Sequence, residues 1–83
     1  MNMNEIAEAM QAVATAAAWA RQAGNARAAD YMIEAGFLME GAHRLLRSND
    51  PRGASDLMND AGAAVLLGRA QIAGGVQAGP VAS

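Results

Sequence analysis

The sequence contains no cysteine and no lysine, and it has only one tryptophan, one tyrosine and one phenylalanine. Without cysteine, the chain cannot form a disulfide bond, a thiolate zinc site or a cysteine nucleophile. All six basic residues are arginine, and the net charge of −2 gives no general attraction to nucleic acid or to an anionic membrane. We therefore do not expect nucleic acid as a partner.

Long hydrophobic runs and a basic leader are also missing. The charge-free stretches at 9–20 and 70–83 are shorter than the ~20 apolar residues that a membrane-spanning helix needs. Glu5 and Glu8 occupy the region where a secretory signal carries basic residues. We therefore expect a cytoplasmic protein with no membrane partner.

Alanine dominates what is present, with 22 of the 83 residues. Alanine buries little apolar surface, and each buried Å² contributes only about 25 cal/mol. A single small domain of this composition therefore gains little from hydrophobic burial. The composition predicts either marginal stability or a core that is completed by association with another chain.

The first of three amphipathic segments spans about residues 4–23. Asn4 is the expected N-cap, and Gly24-Asn25 is the expected turn, since both residues tolerate a left-handed backbone. A helix that continues through Gly24 is the alternative. The expected buried face of this segment consists of Ile6, Met10, Val13, Ala17 and Ala20.

The second and third segments span about residues 26–47 and 51–73. Asp50 before Pro51 is a strong start signal for the third helix, because Asp is a good N-cap and Pro suits the first helical position. Gly74-Gly75 is expected to end this helix. The expected buried stripe of the second segment consists of Ala28, Tyr31, Ala35, Leu38, Ala42 and Leu45, with Met32, Met39 and Leu46 on its flank. The expected buried stripe of the third consists of Leu57, Met58, Ala61, Ala64, Val65, Gly68 and Ile72.

These segments predict an all-α fold, a small three-helix bundle with a C-terminal helical hairpin and a flexible Gly-rich tail. The helical domain is expected over residues 1–75 and the tail over residues 76–83. Four glycines inside the helices each cost about 1 kcal/mol relative to alanine, so they predict positions where another backbone comes close. They are Gly36, Gly41, Gly62 and Gly68.

An internal echo relates the second and third segments. Residues 30–36 (DYMIEAG) match residues 56–62 (DLMNDAG) at an offset of 26 residues. One interpretation is duplication of a unit whose copies pack in an equivalent way. The other is coincidence in a sequence biased toward Ala, Met and acidic residues.

Several bulky residues are left over after the core is assigned. Ile33 and Phe37 lie four residues apart and away from the main stripe of the second helix, Leu66 and Leu67 lie off the stripe of the third, and Trp19 lies at the edge of the first. Such a group is a candidate contact patch, with Arg44 as a charged residue that orients a partner. The alternative is that the second helix is central and buried on two sides. The predicted partner-binding residues are Trp19, Ile33, Phe37, Arg44, Leu66 and Leu67.

Two more specific hypotheses, a di-metal site and a helix-turn-helix, have less support in the sequence. Glu40 and His43 have the Glu-x-x-His spacing of a di-metal helix bundle, but Arg44 and Arg47 beside them disfavour a cation, so no metal is expected. Ala20 and Gly24 fit a helix-turn-helix, but Asp30 occupies a position that should be buried. No catalytic motif is present, so we expect no enzyme and no cofactor.

The expected function is that of a non-enzymatic adaptor or inhibitor, which acts by surface docking on a protein partner, on itself, or on both. A small, acidic, cysteine-free helical chain would suit a phage or mobile-element accessory protein. The alternative is a structural subunit of a homomeric helical filament or shell. Helix-turn-helix DNA binding is a third hypothesis, with less support than the other two.

Overall fold

A computed structural model describes the backbone of residues 2–81 and the side chains of residues 2–74. Its three α-helices are α1 (Met3–Gln22), α2 (Ala26–Arg47) and α3 (Pro51–Val81). No strand occurs within residues 2–81. The prediction of a small all-α bundle that ends in a helical hairpin is confirmed.

The start of α1 differs from the prediction. Asn2, and not Asn4, is the N-cap, and its side chain accepts a hydrogen bond from the Glu5 backbone N–H at 2.9 Å. The Glu5 carboxylate accepts one from the Asn2 backbone N–H at 3.1 Å. Such a capping box needs an acidic or amide residue three positions after the cap. Asn2 has Glu5 at that distance, whereas Asn4 is followed there by Ala7.

A turn separates α1 from α2, so the alternative of one continuous helix is wrong. Gly24 has a φ of +78°, a conformation that glycine adopts without steric cost. The Asn25 side chain then accepts a hydrogen bond from the Ala28 N–H at 3.1 Å and caps α2. Its amide also donates to the Gln71 carbonyl at 3.2 Å, which ties the turn to α3.

The turn between α2 and α3 follows the predicted start signal. Pro51 is the first residue of α3, and the Asp50 carboxylate accepts a hydrogen bond from the Gly53 N–H at 3.0 Å. Asn49 has a φ of 63°, a conformation in which Asn is enriched among non-glycine residues. Both halves of the Asp-Pro signal therefore do what the sequence predicted.

The far end of α3 differs from the prediction. The helix continues through Gly74-Gly75 to Val81. Glycine in a helix costs about 1 kcal/mol relative to alanine, which lowers helix propensity without imposing a turn. The side chains of residues 76–83 and the backbone of residues 82–83 lie outside the described residues, so the flexible tail predicted for residues 76–83 stays a prediction.

The three helices are not equivalent, because α2 packs against both α1 and α3 while those two approach each other only marginally. The bundle measures 53 × 19 × 15 Å. Among the described residues, nine of the thirteen buried hydrophobic residues are alanine, and Ile6 is the largest side chain that is fully buried. The core is therefore thin, and it is held together by closely spaced helices.

The buried face of α1 matches the predicted stripe except that Met10 is only partly buried. On α2 the stripe is rotated. Met32 and Met39 are buried, while Tyr31, Leu38 and Leu45 are only partly buried. A helix between two neighbours buries an arc that faces both of them, so its burial does not follow one stripe.

The glycines fall into two groups. A Cβ added at Gly68 would lie 2.9 Å from the Met32 methyl carbon and 3.3 Å from the Tyr31 Cβ, and one at Gly41 would lie 3.0 Å from Leu57. A Cβ at Gly62 would meet nothing within 4 Å. The predicted close approach is therefore wrong at Gly62, where the outer side of α3 has no neighbour.

The same contrast bears on the internal echo. Ala35 and Ala61, which are equivalent at the offset of 26 residues, are both fully buried. Gly36 lies against Val13, whereas its equivalent, Gly62, faces open space. At the same offset Ala28 and Ala54 are both buried, and so are Ala42 and Gly68. The two segments therefore share three buried positions but do not pack in an equivalent way throughout.

We predict that Gly62→Ala raises the free energy of unfolding by up to about 1 kcal/mol, because it removes the helix penalty of glycine without a new contact. Gly68→Ala is the matched control. Its Cβ would press on Met32 and Tyr31, so it should give a smaller gain or a loss. Urea unfolding followed by circular dichroism measures both. Equal gains at the two positions would contradict the close contact at Gly68.

We also predict that Asn25→Ala destabilises the chain more than Asn2→Ala does. Each removes an N-cap, worth about 0.5 to 2 kcal/mol, but only Asn25 also donates to a carbonyl of another helix. Asn25→Asp separates the two roles, because it keeps the capping acceptor and loses the donor. An Asp variant as stable as the parent in urea unfolding would show that the bond to Gln71 contributes nothing.

Candidate functional site

The structure leaves four of the six predicted partner-binding residues as large exposed hydrophobic side chains. Trp19 is 60% exposed, Phe37 68%, Leu66 66% and Leu67 50%. Ile33 is only partly buried and packs against the core. The second helix is central, as one of the two interpretations expected, and yet it leaves Phe37 at the surface. The contact patch itself stays a prediction.

An apolar groove of about 260 Å³ runs between α1 and α2 and is called the α1–α2 groove below. Phe37 and Ile33 line it from α2, one helical turn apart. From α1 it is lined by three short side chains and by the longer Met10. The apolar lining consists mainly of Met10, Val13, Ala14, Ala17, Ile33 and Phe37.

The groove exists because small residues leave space between the two helices. Gly36 has no side chain, and a Cβ there would lie 3.6 Å from a Val13 methyl carbon. Ala14 and Ala17 add only one methyl group each on the opposite side. Phe37 lines the groove but is 68% exposed, so its ring lies at the rim.

One end of the α1–α2 groove is charged. Glu40 lines it and also lines the adjoining groove of about 330 Å³, together with His43, Arg44 and Arg47. The Arg44 guanidinium donates to the Glu40 carboxylate at 2.8 Å, as the spacing of four residues predicts. The pair neutralises Glu40 and leaves the Arg47 side of this end positive.

The remaining predicted residues lie elsewhere. Trp19 lies beside the α1–α2 turn, in a groove that it shares with Asn25 and Ile72. Leu67 lies between α2 and α3, in a groove that Glu34 also lines. The six predicted residues therefore do not form one surface, because they are spread over all three helices.

The α1 side of the α1–α2 groove was not predicted from the sequence. Met10, Val13 and Ala17 were assigned to the core, and Ala14 was assigned no role. The sequence did contain one signal for the groove, namely small residues on two neighbouring helices: Gly36 on α2, and Ala14 and Ala17 on α1. Using it requires the rotation of α1 relative to α2, which hydrophobic periodicity alone does not specify.

The weaker hypotheses gain no support from the geometry. Among the described residues, no group of three or more His, Asp or Glu side chains is placed to hold a metal ion. Glu40 and His43 do line one groove, but they share it with two arginines, which oppose a bound cation.

Comparison with known proteins gives no relative. No family model, curated protein or solved structure matches the chain. Within the described residues, none of the helices has the length and apolarity that crossing a membrane requires. Any proposal about function therefore depends on the surfaces described above.

We predict that acrylamide quenches the fluorescence of Trp19, the only tryptophan, almost as fast in the folded chain as in the urea-unfolded chain. The reason is its exposure of 60%. The measurement is a quencher titration repeated at several dilutions, which separates burial within one chain from burial by association. Strong protection that persists at the highest dilution would contradict the exposed position.

Proposed function

We propose that this chain is a non-enzymatic interaction module that binds a helix of a partner protein in the α1–α2 groove. The observation that carries the proposal is Phe37, which is 68% exposed at the rim of an apolar groove. Aromatic residues, Phe among them, are enriched in protein interfaces relative to the rest of the surface.

The shape of the groove supports a helix as the bound element. A groove between two packed helices takes the apolar face of a third, which then packs against both. The shallow floor at Gly36 and Ala14 would admit a larger side chain of the partner, and Phe37 would cover it from the side. The module then works sterically, as an adaptor or as an inhibitor.

The charged end of the groove supports an acidic feature at one end of the partner helix. Arg44 is paired with Glu40, and Arg47 lies next to them. Exposed charges at the rim of an interface contribute mainly to orientation and association rate. We therefore propose an amphipathic partner helix with an acidic residue beyond its apolar face.

The cellular setting is also a proposal. A cytoplasmic accessory protein, as in phages or mobile elements, is supported by the small size, the net charge of −2 and the absence of cysteine. Inhibition of a larger host or phage protein would then follow from occupation of that protein's own helix-binding contacts.

The second candidate function is a subunit of a homomeric assembly. It is favoured by one observation, namely that Phe37 lies on α2 while Leu66 and Leu67 lie on α3. Two different apolar surfaces on one protomer permit head-to-tail contacts, which extend without closing. Scattering mass that grows without limit as concentration rises would support this candidate over the first.

We predict that Phe37→Ser weakens partner binding by about thirtyfold or more, as expected for loss of a hot-spot anchor of about 2 kcal/mol. Partners captured from the native host by the parent chain are identified by mass spectrometry, purified and titrated against each variant. Trp19→Ser is the matched control, because Trp19 is also exposed, at 60%, but lies outside the α1–α2 groove.

Circular dichroism checks that both variants keep the parent helicity. Partner binding that survives Phe37→Ser unchanged would overturn the groove as the docking site. Equal loss with Trp19→Ser would show that the weakening is not specific to the groove.

A further inference from the structure

The outer side of α3 carries a second apolar surface, called the α3 stripe below, which consists of Ala63, Leu66, Leu67 and Ala70. All four residues are exposed, and Leu66 and Leu67 retain 66% and 50% of their accessible surface. On a helix these four positions fall on one face. The centre of that face points away from the buried residues Ala61 and Ala64, while Ala63 and Leu67 at its edge also line the groove between α2 and α3.

The α3 stripe is symmetric in sequence. Leu66 and Leu67 lie on the two sides of the peptide bond that joins them. Ala63 lies three residues before Leu66, and Ala70 lies three residues after Leu67. Two copies of α3 that lie antiparallel about a two-fold axis at this peptide would therefore place Ala63 of one copy opposite Ala70 of the other. Each leucine would meet the same leucine of the second copy, and the short alanines would let the two helices come close.

Charge favours the antiparallel arrangement over the parallel one. Asp56 and Asp60 precede the stripe on the outer half of α3, and both are exposed. A parallel pair would set these carboxylates beside their own counterparts, which is unfavourable. The antiparallel pair separates the two Asp60 residues by about 20 Å along the helix axis, at 1.5 Å per residue.

We infer that this chain forms a homodimer through the α3 stripe, with the two α3 helices antiparallel and the two-fold axis beside the Leu66-Leu67 peptide. A two-fold contact uses the same surface on both copies and closes. The surface is small, so association falls in the range of weak and transient interfaces. The dimer does not depend on the α1–α2 groove, since that groove is lined by α1 and α2 only.

The first test is sedimentation equilibrium from about 10 to 300 µM, where small interfaces associate. The parent chain should pass from monomer to dimer, and Leu66→Asp should weaken the dimer at least tenfold because two carboxylates would meet near the axis. Phe37→Asp is the matched control, since Phe37 is 68% exposed on another helix, and it should dimerise like the parent. A parent that stays monomeric, or equal weakening by both variants, would overturn the inference.

The second test fixes the register, and it is possible because the chain has no cysteine of its own. A variant with Ala63→Cys mixed with one with Ala70→Cys should form a disulfide-linked dimer under mild oxidation. Each variant alone should not, because its two thiols would lie about 10 Å apart along the axis, beyond disulfide reach. Efficient linkage of the Ala63→Cys variant to itself would indicate a parallel pair and would overturn the proposed arrangement.

Discussion

The close approach of α2 to its two neighbours is the constraint on which the rest of the structure depends. At Gly68 even one added carbon would lie 2.9 Å from the Met32 side chain. Ala35 and Ala61 are fully buried and contribute only a methyl group each. Helices with such side chains can come close together, but the space between them then admits few larger groups. The thin core is a direct result of this choice of residues.

Few large hydrophobic residues consequently lie in the interior, where Ile6, Met32 and Met39 are the bulkiest buried side chains. Ile6 is the largest side chain that is fully buried, whereas Phe37 and Leu66 remain mostly exposed. In a leucine-rich bundle, side chains of this size would fill the core and supply much of the stability. Here the same residues lie where they can contact another chain. Packing and surface properties are therefore two outcomes of one composition, and association would bury the apolar area that the monomer cannot.

Local signals allowed much of the fold to be predicted from the sequence, whereas relations between helices did not follow from them. The Asp50-Pro51 start of α3 depends on adjacent residues, and it is where the sequence analysis placed it. The open surroundings of Gly62 depend on the rotation of α3 relative to the bundle, and the prediction there was wrong. To predict the α1–α2 groove, one must know that these two helices pack together and how each is rotated about its own axis. Exposure of Phe37 was predictable because its position is off the stripe, but its place at a groove was not.

The positions of the two apolar surfaces have a consequence for how they would work together. The α1–α2 groove is lined by α1 and α2 only, and the α3 stripe is on the outer side of a third helix. A dimer that is joined through α3 would therefore leave a groove free on each copy. Two linked sites bind a bivalent or oligomeric partner more tightly than one site does, without any new contact, because the second binding event becomes intramolecular. Weak self-association and weak docking would then combine into effective binding, which suits a chain with so little apolar area to offer at either surface.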